Sequence, residues 1–314
     1  MPSVPSHRIP ASPTGQQWTI GHGAHQAVVT EVGATLRTYT VDDHAVIDGF
    51  GADEWSHGGR GQVLAPWPNR LRDGRYDFGG VHVQAPLDEP DRGNAIHGLV
   101  RWLPWHADAH AQNMVALRCV VHPTPAYPFT LQLRVEYRLG RDGLSVSTTA
   151  TNVGGEPLPF GLGFHPYLTV GAPHIDTAVL HVPAGERLVL DDRSLPTGEV
   201  RAVSGTELDF TAPRAIGPTR LDTAYTSIER EDDGSARVSL HDPVVGRSLS
   251  LWMDRQFDYV MCYTGDGLDD PARRRAGLAI EPMTCPPDAF GSGRGLIVLE
   301  PGAAFSGSWG IVPR

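Results

Sequence analysis

Residues 130–152 read TLQLRVEYRLGRDGLSVSTTATN. Apolar residues alternate with polar ones from Leu131 to Leu139, and the same period of two resumes from Leu144 to Thr148. Alternation of this kind is typical of a strand with one buried face. Between the two runs, Arg141-Asp142-Gly143 supplies the residue types that a tight turn prefers. The stretch therefore predicts a long antiparallel hairpin.

Further β-rich runs are spread along the chain. A second hairpin is predicted around Glu231-Asp232-Asp233-Gly234, formed by Tyr225–Glu229 and Arg237–His241. The other runs are Ala27–Tyr39, Met114–His122, Ser248–Met253, Tyr259–Tyr263, Gly277–Glu281 and Gly295–Leu299. No segment of about 11 or more residues has a helical period, and Asp269–Arg275 is predicted to form a helical turn at most.

These patterns predict an all-β fold, a large antiparallel β-sandwich. The 36 glycines and 27 prolines separate nearly all of the runs, but no repeat or linker divides the 314 residues. We therefore expect a single domain over residues 1–314, with residues 1–16 as a poorly structured lead-in.

The charge balance excludes some partners. The chain has 26 Lys and Arg against 36 Asp and Glu, a net charge of -10. Nucleic acids and anionic membranes are bound by basic surfaces, so neither is expected as a partner. Three scattered cysteines, Cys119, Cys262 and Cys285, fit a reducing compartment. With no secretory signal and no apolar run of about 20 residues, the prediction is a cytoplasmic monomer or homodimer.

Two polar positions lie in turn-forming surroundings. Asn69 and Arg70 stand within Pro66–Gly74, and the donor fork of an arginine suits hydroxyls, carboxylates or phosphates. His97 precedes Gly98, which frees the backbone so that the ring can reach a ligand. The plainer interpretations are an arginine paired with a nearby acid and a structural histidine.

His165 and Glu281 suit proton transfer. A loop imidazole such as His165, just before Pro166, can give or take a proton near neutral pH. Glu281 ends an apolar run, where loss of hydration raises the pKa of a carboxyl and makes it a better general base. The alternatives are a buried histidine bonded to a carbonyl and a strand-end glutamate pointing into water. Glu300 has almost the same local pattern as Glu281, so the pattern alone does not choose between them.

The sequence signal for a metal site is weak. His106, Asp108 and His110 would share one face of a strand and imitate part of a metal site. Because no third His or Cys lies nearby, a solvated face is favoured and no metal site is predicted.

Taken together and in order, these stretches resemble the aldose 1-epimerase (galactose mutarotase) family. Any single element is weak, whereas their order over roughly residues 17–312 is specific. The matching elements are Asn69-Arg70, Gly74-Arg75-Tyr76, Gly79-Gly80, His97-Gly98, Asn152, Gly163-Phe164-His165-Pro166-Tyr167, Leu221-Asp222, Val260-Met261-Cys262-Tyr263-Thr264, Glu281, Pro287-Asp288-Ala289 and Leu299-Glu300-Pro301-Gly302.

The resemblance implies a sugar cleft across one sheet, no cofactor, and interconversion of the α and β anomers of a free aldose. Glu281 would be the general base at the anomeric hydroxyl, and His165 the general acid at the ring oxygen. Arg70, His97 and Asp222 match positions that hold sugar hydroxyls. This function requires Glu281 and His165 to face each other across an opening wide enough for a pyranose.

Four other residues complete the sequence-based expectations. Asn69 belongs to the Asn-Arg element and is expected at the substrate. Trp252 or Trp67 offers an apolar platform for a sugar face, with packing in the core as the alternative. Glu300 matches no catalytic position of the family.

The chain departs from the family at the cleft. It has His97-Gly98-Leu99 where the family often has His-Gly-Gly, and Leu168-Thr169 where a Phe-Asn pair is common. Residues His97 to Arg101 also resemble hexose-6-phosphate mutarotases, so a phosphorylated or sulfonated hexose is an alternative substrate. Two other functions stay open: a non-catalytic carbohydrate-binding sandwich, and a glycoside hydrolase that uses Asp222 and Glu281.

Overall fold

The structure is a computed structural model that describes residues 12–314. Residues 1–11 of the predicted lead-in lie outside the described residues. The rest of the lead-in is held by the chain that follows. Val32 N–H donates to the Thr14 carbonyl at 3.1 Å, and Gln16 N–H donates to the Glu31 carboxylate at 2.8 Å. Residues 12–16 are therefore fixed by hydrogen bonds, contrary to the expectation for this part.

The strands account for nearly all regular structure. Those of the first half are β1 (Gln17–His22), β2 (His25–Thr30), β3 (Leu36–Val41), β4 (His44–Ala45), β5 (Val63–Leu64), β6 (Arg70–Arg72), β7 (Arg75–Phe78), β8 (Val81–Gln84), β9 (Asn94–Ile96), β10 (His106–Ala111), β11 (Met114–Val121), β12 (Leu131–Gly140) and β13 (Gly143–Asn152). Those of the second half are β14 (Leu158–Phe160), β15 (Gly163–Phe164), β16 (Tyr167–Leu168), β17 (Val179–His181), β18 (Ala184–Leu190), β19 (Pro196–Ala202), β20 (Arg214–Ala215), β21 (Asp222–Ile228), β22 (Ala236–Asp242), β23 (Arg247–Met253), β24 (Tyr259–Tyr263), β25 (Leu278–Met283), β26 (Ile297–Leu299) and β27 (Ala304–Pro313).

Helical structure is limited to single turns. The α-helical turn α1 is Ala289–Ser292, and 3₁₀ turns lie at Pro90–Arg92, Val100–Trp102, Ile175–Thr177 and Pro271–Arg273. The last of these confirms the helical turn predicted in Asp269–Arg275. No helix between residues 12 and 314 is long and apolar enough to cross a membrane.

Two large antiparallel sheets form the body of the fold. One has nine strands in the order β10-β11-β12-β13-β27-β23-β22-β17-β20. The other has eight, in the order β19-β18-β21-β24-β25-β15-β5, with β16 also paired to β25. The hairpin predicted over residues 130–152 is β12 and β13, which pair from Leu131–Asn152 to Gly140–Gly143. The antiparallel, all-β fold class is confirmed.

The second predicted hairpin is wrong. Strand β21 pairs with β18 and β24 in the eight-stranded sheet, whereas β22 pairs with β17 and β23 in the nine-stranded sheet. The turn exists, since Glu231 N–H donates to the Ser235 carbonyl at 2.7 Å, but it leads from one sheet to the other. The physical reason is that a period of two specifies a buried face and not the partner strand.

The two faces of β25 have different surroundings. Leu278 and Ile280 belong to the main hydrophobic core, whereas Met283 packs in a separate small cluster with Met261 of β24. Because side chains alternate along a strand, Glu281 shares the face of Met283. The eight-stranded sheet therefore presents Glu281 on the side away from the main core.

Candidate active site

Glu281 and His165 are in contact on this outer face. Glu281 lies in β25, near the middle of the sheet, and its Oε1 is 3.3 Å from Nε2 of His165. His165 lies between β15 and β16, where its N–H donates to the Gln62 carbonyl at 3.1 Å. Its own carbonyl accepts from Gly61 N–H at 2.8 Å, so the backbone of the histidine is fixed on both sides.

The contact differs in one respect from the expectation. The two side chains touch side by side instead of facing each other across an opening, and Glu281 and His165 are only 2% and 5% exposed. Both side chains are therefore almost fully buried.

Burial controls the protonation of the pair. Desolvation raises the pKa of Glu281 well above 4.5, reinforced by the charge of Asp222 and opposed by Arg70. Desolvation lowers the pKa of His165 to about 3, reinforced mainly by Arg60. At a pH between the pKa of His165 and the raised pKa of Glu281, the two side chains together hold one proton. Burial favours the neutral form of each side chain, so this proton lies on Glu281. The other polar atom of each side chain, Glu281 Oε2 and His165 Nδ1, is buried and has no hydrogen-bond partner among the described residues.

A stack of side chains fixes the plane of the His165 ring. The Tyr167 ring lies parallel to it, with centroids 5.0 Å apart and planes at 16°. The guanidinium carbon of Arg60 lies 4.3 Å from the centroid of Tyr167, and Asp48 holds Arg60 through a 2.9 Å ion pair. The sequence analysis did not single out Arg60 or Asp48. The glycines around position 60 were the available signal, because a Cβ at Gly59 would lie 2.6 Å from Cδ2 of His165.

Asn69 and His97 form a second part of the site. Each has a positive φ, 56° and 64°, and the Asn69 carbonyl accepts from His97 N–H at 2.8 Å. Asn69 N–H in turn donates to Nδ1 of His97 at 3.2 Å, which puts the proton of the neutral ring on Nε2. Burial, with the neighbouring His165 and arginines, lowers the pKa of His97 well below 6.5. The His97 ring stands edge-on to that of His165, with centroids 5.3 Å apart.

Arg70 and Asp222 complete the polar group. The Arg70 side chain is almost buried and makes a bidentate pair with Glu89, at 2.9 and 3.0 Å. Its Nη1 lies 4.0 Å from Oδ2 of Asp222, which is also 4.0 Å from Nη1 of Arg92. Arg70 is therefore paired with an acid, but it does not lie on a surface loop as its plainer interpretation supposed. Sequence reasoning missed Glu89, and only the acidic run at 88–89 signalled it.

Trp252 does not join these residues, which corrects the sequence-based expectation. It lies in β23 of the nine-stranded sheet and alternates with the core residues Leu251 and Met253, so it points away from the core on the other side of the sandwich. It lines a groove of about 1420 Å³ there, whose lining includes neither Glu281 nor His165. Trp67 is 3% exposed and packs on Phe290 with ring centroids 5.4 Å apart, as its core interpretation predicts.

The suspected metal cluster is a solvated face, as favoured. All residues of β10 are exposed, and Asp108 pairs with Arg118 at 3.0 Å. Among residues 12–314, no three His, Cys, Asp or Glu side chains are grouped so that they could hold a metal ion.

The Arg101 side chain is already paired with a carboxylate, unlike an arginine that is free to bind an anion. It is 9% exposed, and its Nη2 pairs with Oδ2 of Asp88 at 2.5 Å. The arginine that would meet a phosphate is therefore already neutralised.

Comparison with known proteins shows which family this chain belongs to. The family model described as Aldose 1-epimerase matches residues 16–311. An uncharacterized protein of Escherichia coli, YihR, is 33% identical over 290 residues, 92% of this chain and 90% of that protein. Human galactose mutarotase is 25% identical over 78% of this chain and 76% of its own. The sequence-based resemblance is thereby confirmed.

Solved structures show the same fold. An aldose epimerase homologue from C. elegans matches with a TM-score of 0.85 at 21% identity, covering 95% of this chain and 98% of its own. Galactose 1-epimerase from Lactobacillus acidophilus matches with a TM-score of 0.80 at 20% identity, over 94% and 93% of the two chains. These matches confirm the large antiparallel β-sandwich.

Proposed function

This chain belongs to the aldose 1-epimerase family and is an isomerase of the mutarotase type; from that premise we propose that it interconverts the α and β anomers of a free, uncharged aldohexose. The observation that carries the proposal is the buried contact of 3.3 Å between Glu281 and His165 on the outer face of the eight-stranded sheet. Interconversion of the anomers removes one proton from the sugar and returns another, so it needs two groups that share one proton.

We assign the two proton transfers to this pair. Burial favours the shared proton on Glu281, and its transfer to Nε2 of His165 prepares a carboxylate base and an imidazolium acid in one step. Glu281 then takes the proton of the anomeric hydroxyl while His165 protonates the ring oxygen. The bond between C1 and the ring oxygen breaks, and the hydroxyl oxygen becomes the aldehyde oxygen.

Ring closure reverses the same steps. After rotation about C1–C2, His165 takes back the proton from the former ring oxygen as that oxygen attacks the other face of C1. Glu281 returns a proton to the aldehyde oxygen, which becomes the hydroxyl of the second anomer. The pair ends with the one proton it began with, so no cofactor is consumed. Each transfer partner contributes roughly 100- to 10,000-fold in rate.

The surrounding residues would hold the sugar. Neutral His97 offers its Nε2–H to a sugar oxygen, because Asn69 occupies Nδ1. Arg70, fixed by Glu89, offers a donor beside Glu281, and half-buried Asp222 accepts from hydroxyls. Fixing the pose in this way lowers the entropic part of the barrier.

The charges at the site favour an uncharged sugar. Arg70, Arg92 and Arg101 each lie within 4.0 Å of a carboxylate, so a phosphate or sulfonate would have to displace an existing ion pair. We therefore rank phosphorylated and sulfonated hexoses below the free sugar.

The test is anomer equilibration of freshly dissolved α-glucose and α-galactose, followed by polarimetry or NMR. We expect the protein to accelerate equilibration above the buffer rate for at least one of the two sugars. Binding without acceleration would instead support a non-catalytic sugar-binding protein. Release of a reducing sugar from a glycoside would support a hydrolase that uses Asp222 and Glu281.

Glucose 6-phosphate tests the charge argument separately, with the Arg101→Ala variant as its control. The free sugar should be the better substrate, as measured by kcat/KM. A preference for the phosphate ester that is lost in Arg101→Ala would contradict our ranking of substrates.

A further inference from the structure

Asp288 joins the segment that follows Glu281 to the strand that carries Arg70. It lies seven residues beyond Glu281 and directly before α1. Its own N–H donates to the Arg70 carbonyl at 2.7 Å, and its Oδ1 accepts from Arg72 N–H at 2.9 Å. Asp288 belongs to the Pro-Asp-Ala element of the family resemblance, but it takes no part in the proposed proton transfers.

These two hydrogen bonds hold the open edge of β6. Strand β6 has only three residues, and its one strand partner within residues 12–314 is β9. Backbone groups two residues apart point to the same edge of a strand, so the Arg70 carbonyl and the Arg72 N–H face Asp288 together. Asp288 therefore takes the place of a second neighbouring strand, with its carboxylate in the role of a backbone carbonyl.

The surroundings of Asp288 fix its position. It is 9% exposed and has a φ of 60°, which aspartate, asparagine and glycine tolerate better than other residues. Phe290 anchors α1 against the rings of Trp67 and Tyr76, with centroids 5.4 and 5.1 Å away. A Cβ at Gly291 would lie 2.8 Å from Oδ1 of Asp288, so the carboxylate packs directly on this glycine. Packing thus keeps the carboxylate in front of β6.

The strand held in this way carries an arginine of the proposed sugar site. Nη1 of Arg70 lies 4.0 Å from Oδ2 of Asp222, and Glu89 holds the same guanidinium at 2.9 Å. The guanidinium can meet these partners and a sugar oxygen together only if its backbone stays in place. We propose that Asp288 is a positioning residue, which holds β6 so that Arg70 is presented to the sugar. This inference rests on the proposed function, in which Arg70 donates to the substrate.

The experiment measures kcat and KM for anomer exchange of glucose and galactose in two variants that separate the contacts of Asp288. Asp288→Gly keeps the positive φ and the N–H donor but removes the carboxylate. Asp288→Asn also tolerates this φ and keeps an oxygen that can accept from Arg72 N–H. Asp43→Gly is the matched control, because Asp43 is an exposed aspartate with a φ of 62° in the turn between β3 and β4.

Asp288→Gly should raise KM and lower kcat/KM about tenfold, as expected for the loss of a buried hydrogen bond to a charged group, while kcat stays within about twofold of wild type. Asp288→Asn should keep most of kcat/KM, and Asp43→Gly all of it. In an Arg70→Met background, Asp288→Gly should change kcat/KM by less than about twofold. A fall confined to kcat, or an equal loss with and without Arg70, would overturn the positioning role.

A second variant tests the same contact while leaving Asp288 in place. In Gly291→Ala the added Cβ would crowd Oδ1 and displace it from Arg72 N–H. This variant should raise KM as Asp288→Gly does, whereas Gly155→Ala, whose Cβ would meet open space, should not. Circular dichroism checks each fold, and Gly291→Ala decides alone if Asp288→Gly does not fold. An unchanged KM in the folded variants would overturn the inference and leave the proposed function standing.

A wild type that accelerates neither sugar would overturn the proposed function instead. Calorimetric titration with glucose and galactose then decides the inference on its own. A Kd that rises about tenfold in Asp288→Gly but not in Asp288→Asn supports it, and binding that is absent or unchanged overturns it.

Discussion

Two glutamates occupy almost the same local sequence and very different places. Ile280-Glu281-Pro282 and Leu299-Glu300-Pro301 each follow an apolar run. Glu281 is 2% exposed within β25, which has strands on both sides in the eight-stranded sheet. Glu300 is exposed beyond the end of β26, which pairs with β14 in a two-stranded sheet.

The surroundings of each carboxyl depend on the sheet that its strand joins. Both apolar runs supply β-propensity, but only the central strand brings a histidine, an arginine and an aspartate to its glutamate. Glu300 instead stands in a turn, where its carbonyl accepts from Ala303 N–H at 2.9 Å. The position of the strand in its sheet, and not the residues beside the glutamate, separates the buried carboxyl of Glu281 from the solvated one of Glu300.

The largest effect expected from this comparison is on activity. Glu281→Gln removes the proposed base, so the rate of anomer exchange should fall by roughly 100- to 10,000-fold. Glu300→Gln, the matched substitution, should leave the rate within about twofold. Polarimetry with α-glucose or α-galactose measures both. Equal losses in the two variants would show that the buried carboxyl has no special role.

His165→Asn should cost roughly 100-fold, because the amide keeps a polar side chain but delivers no proton. His241→Asn is the control, since His241 is an exposed histidine of β22 in the other sheet. The same equilibration assay applies. Full activity in His165→Asn would remove the imidazole from the mechanism and leave Glu281 acting alone.

The pH dependence of the catalysed rate is a further test of the buried pair. An ordinary histidine titrates near 6.5, but burial lowers the pKa of His165 to about 3 and raises that of Glu281 well above 4.5. The pair gains a second proton only in strong acid and loses its shared proton only above the raised pKa of Glu281. The acid limb of the catalysed rate, which reports the second protonation, should therefore lie well below pH 6.5.

The variant Arg60→Met offers a check on this profile. Loss of the positive charge beside His165 relieves one cause of its lowered pKa, so the acid limb should move to higher pH. Arg60→Lys keeps the charge and should move the limb less. An acid limb near pH 6.5 in wild type, unaffected by Arg60→Met, would mean that His165 titrates as a solvated group.

The smallest effect concerns stability. The pKa of Glu281 is higher in the folded state than in the unfolded chain, so the folded state binds more protons above pH 4.5 and is destabilised as the pH rises through this window. Glu281→Gln removes this penalty and should raise the free energy of unfolding at neutral pH. Chemical denaturation at about pH 5 and about pH 8 should show a larger gain at the higher value. Glu300→Gln should stay within about 0.5 kcal/mol of wild type, and a destabilised Glu281→Gln would contradict the argument.

Local patterns predicted the local parts of the fold. The hairpin over residues 130–152 and the strand Tyr259–Tyr263 are found where the sequence places them, because alternation and turn residues act over a few positions. The partner of β22 was mispredicted, because partner choice depends on contacts far along the chain. Trp252 was misplaced for a similar reason: its residue type suits a sugar, but its strand lies in the other sheet.

The site residues also divide into those that the sequence predicted and those that it did not. Family resemblance named Glu281, His165, Arg70, His97, Asn69 and Asp222, and the structure brings these six together; their roles remain proposals. Glu89 and Arg60 act through neighbours that are distant in sequence, on Arg70 and Tyr167, so no local pattern marks them. The sequence did predict that Gly98 frees the backbone beside His97, and both residues have a positive φ.

The position of β27 has a consequence for biosynthesis. This strand, Ala304–Pro313, lies between β13 and β23 and pairs with both. The ribosome makes it after every other strand of the nine-stranded sheet, so until residue 313 has emerged the edges of β13 and β23 stay unpaired. Exposed edges of this kind invite pairing with other chains. Nascent chains that stall before Ala304 should therefore depend on chaperones. That dependence should end once β27 has paired with β13 and β23.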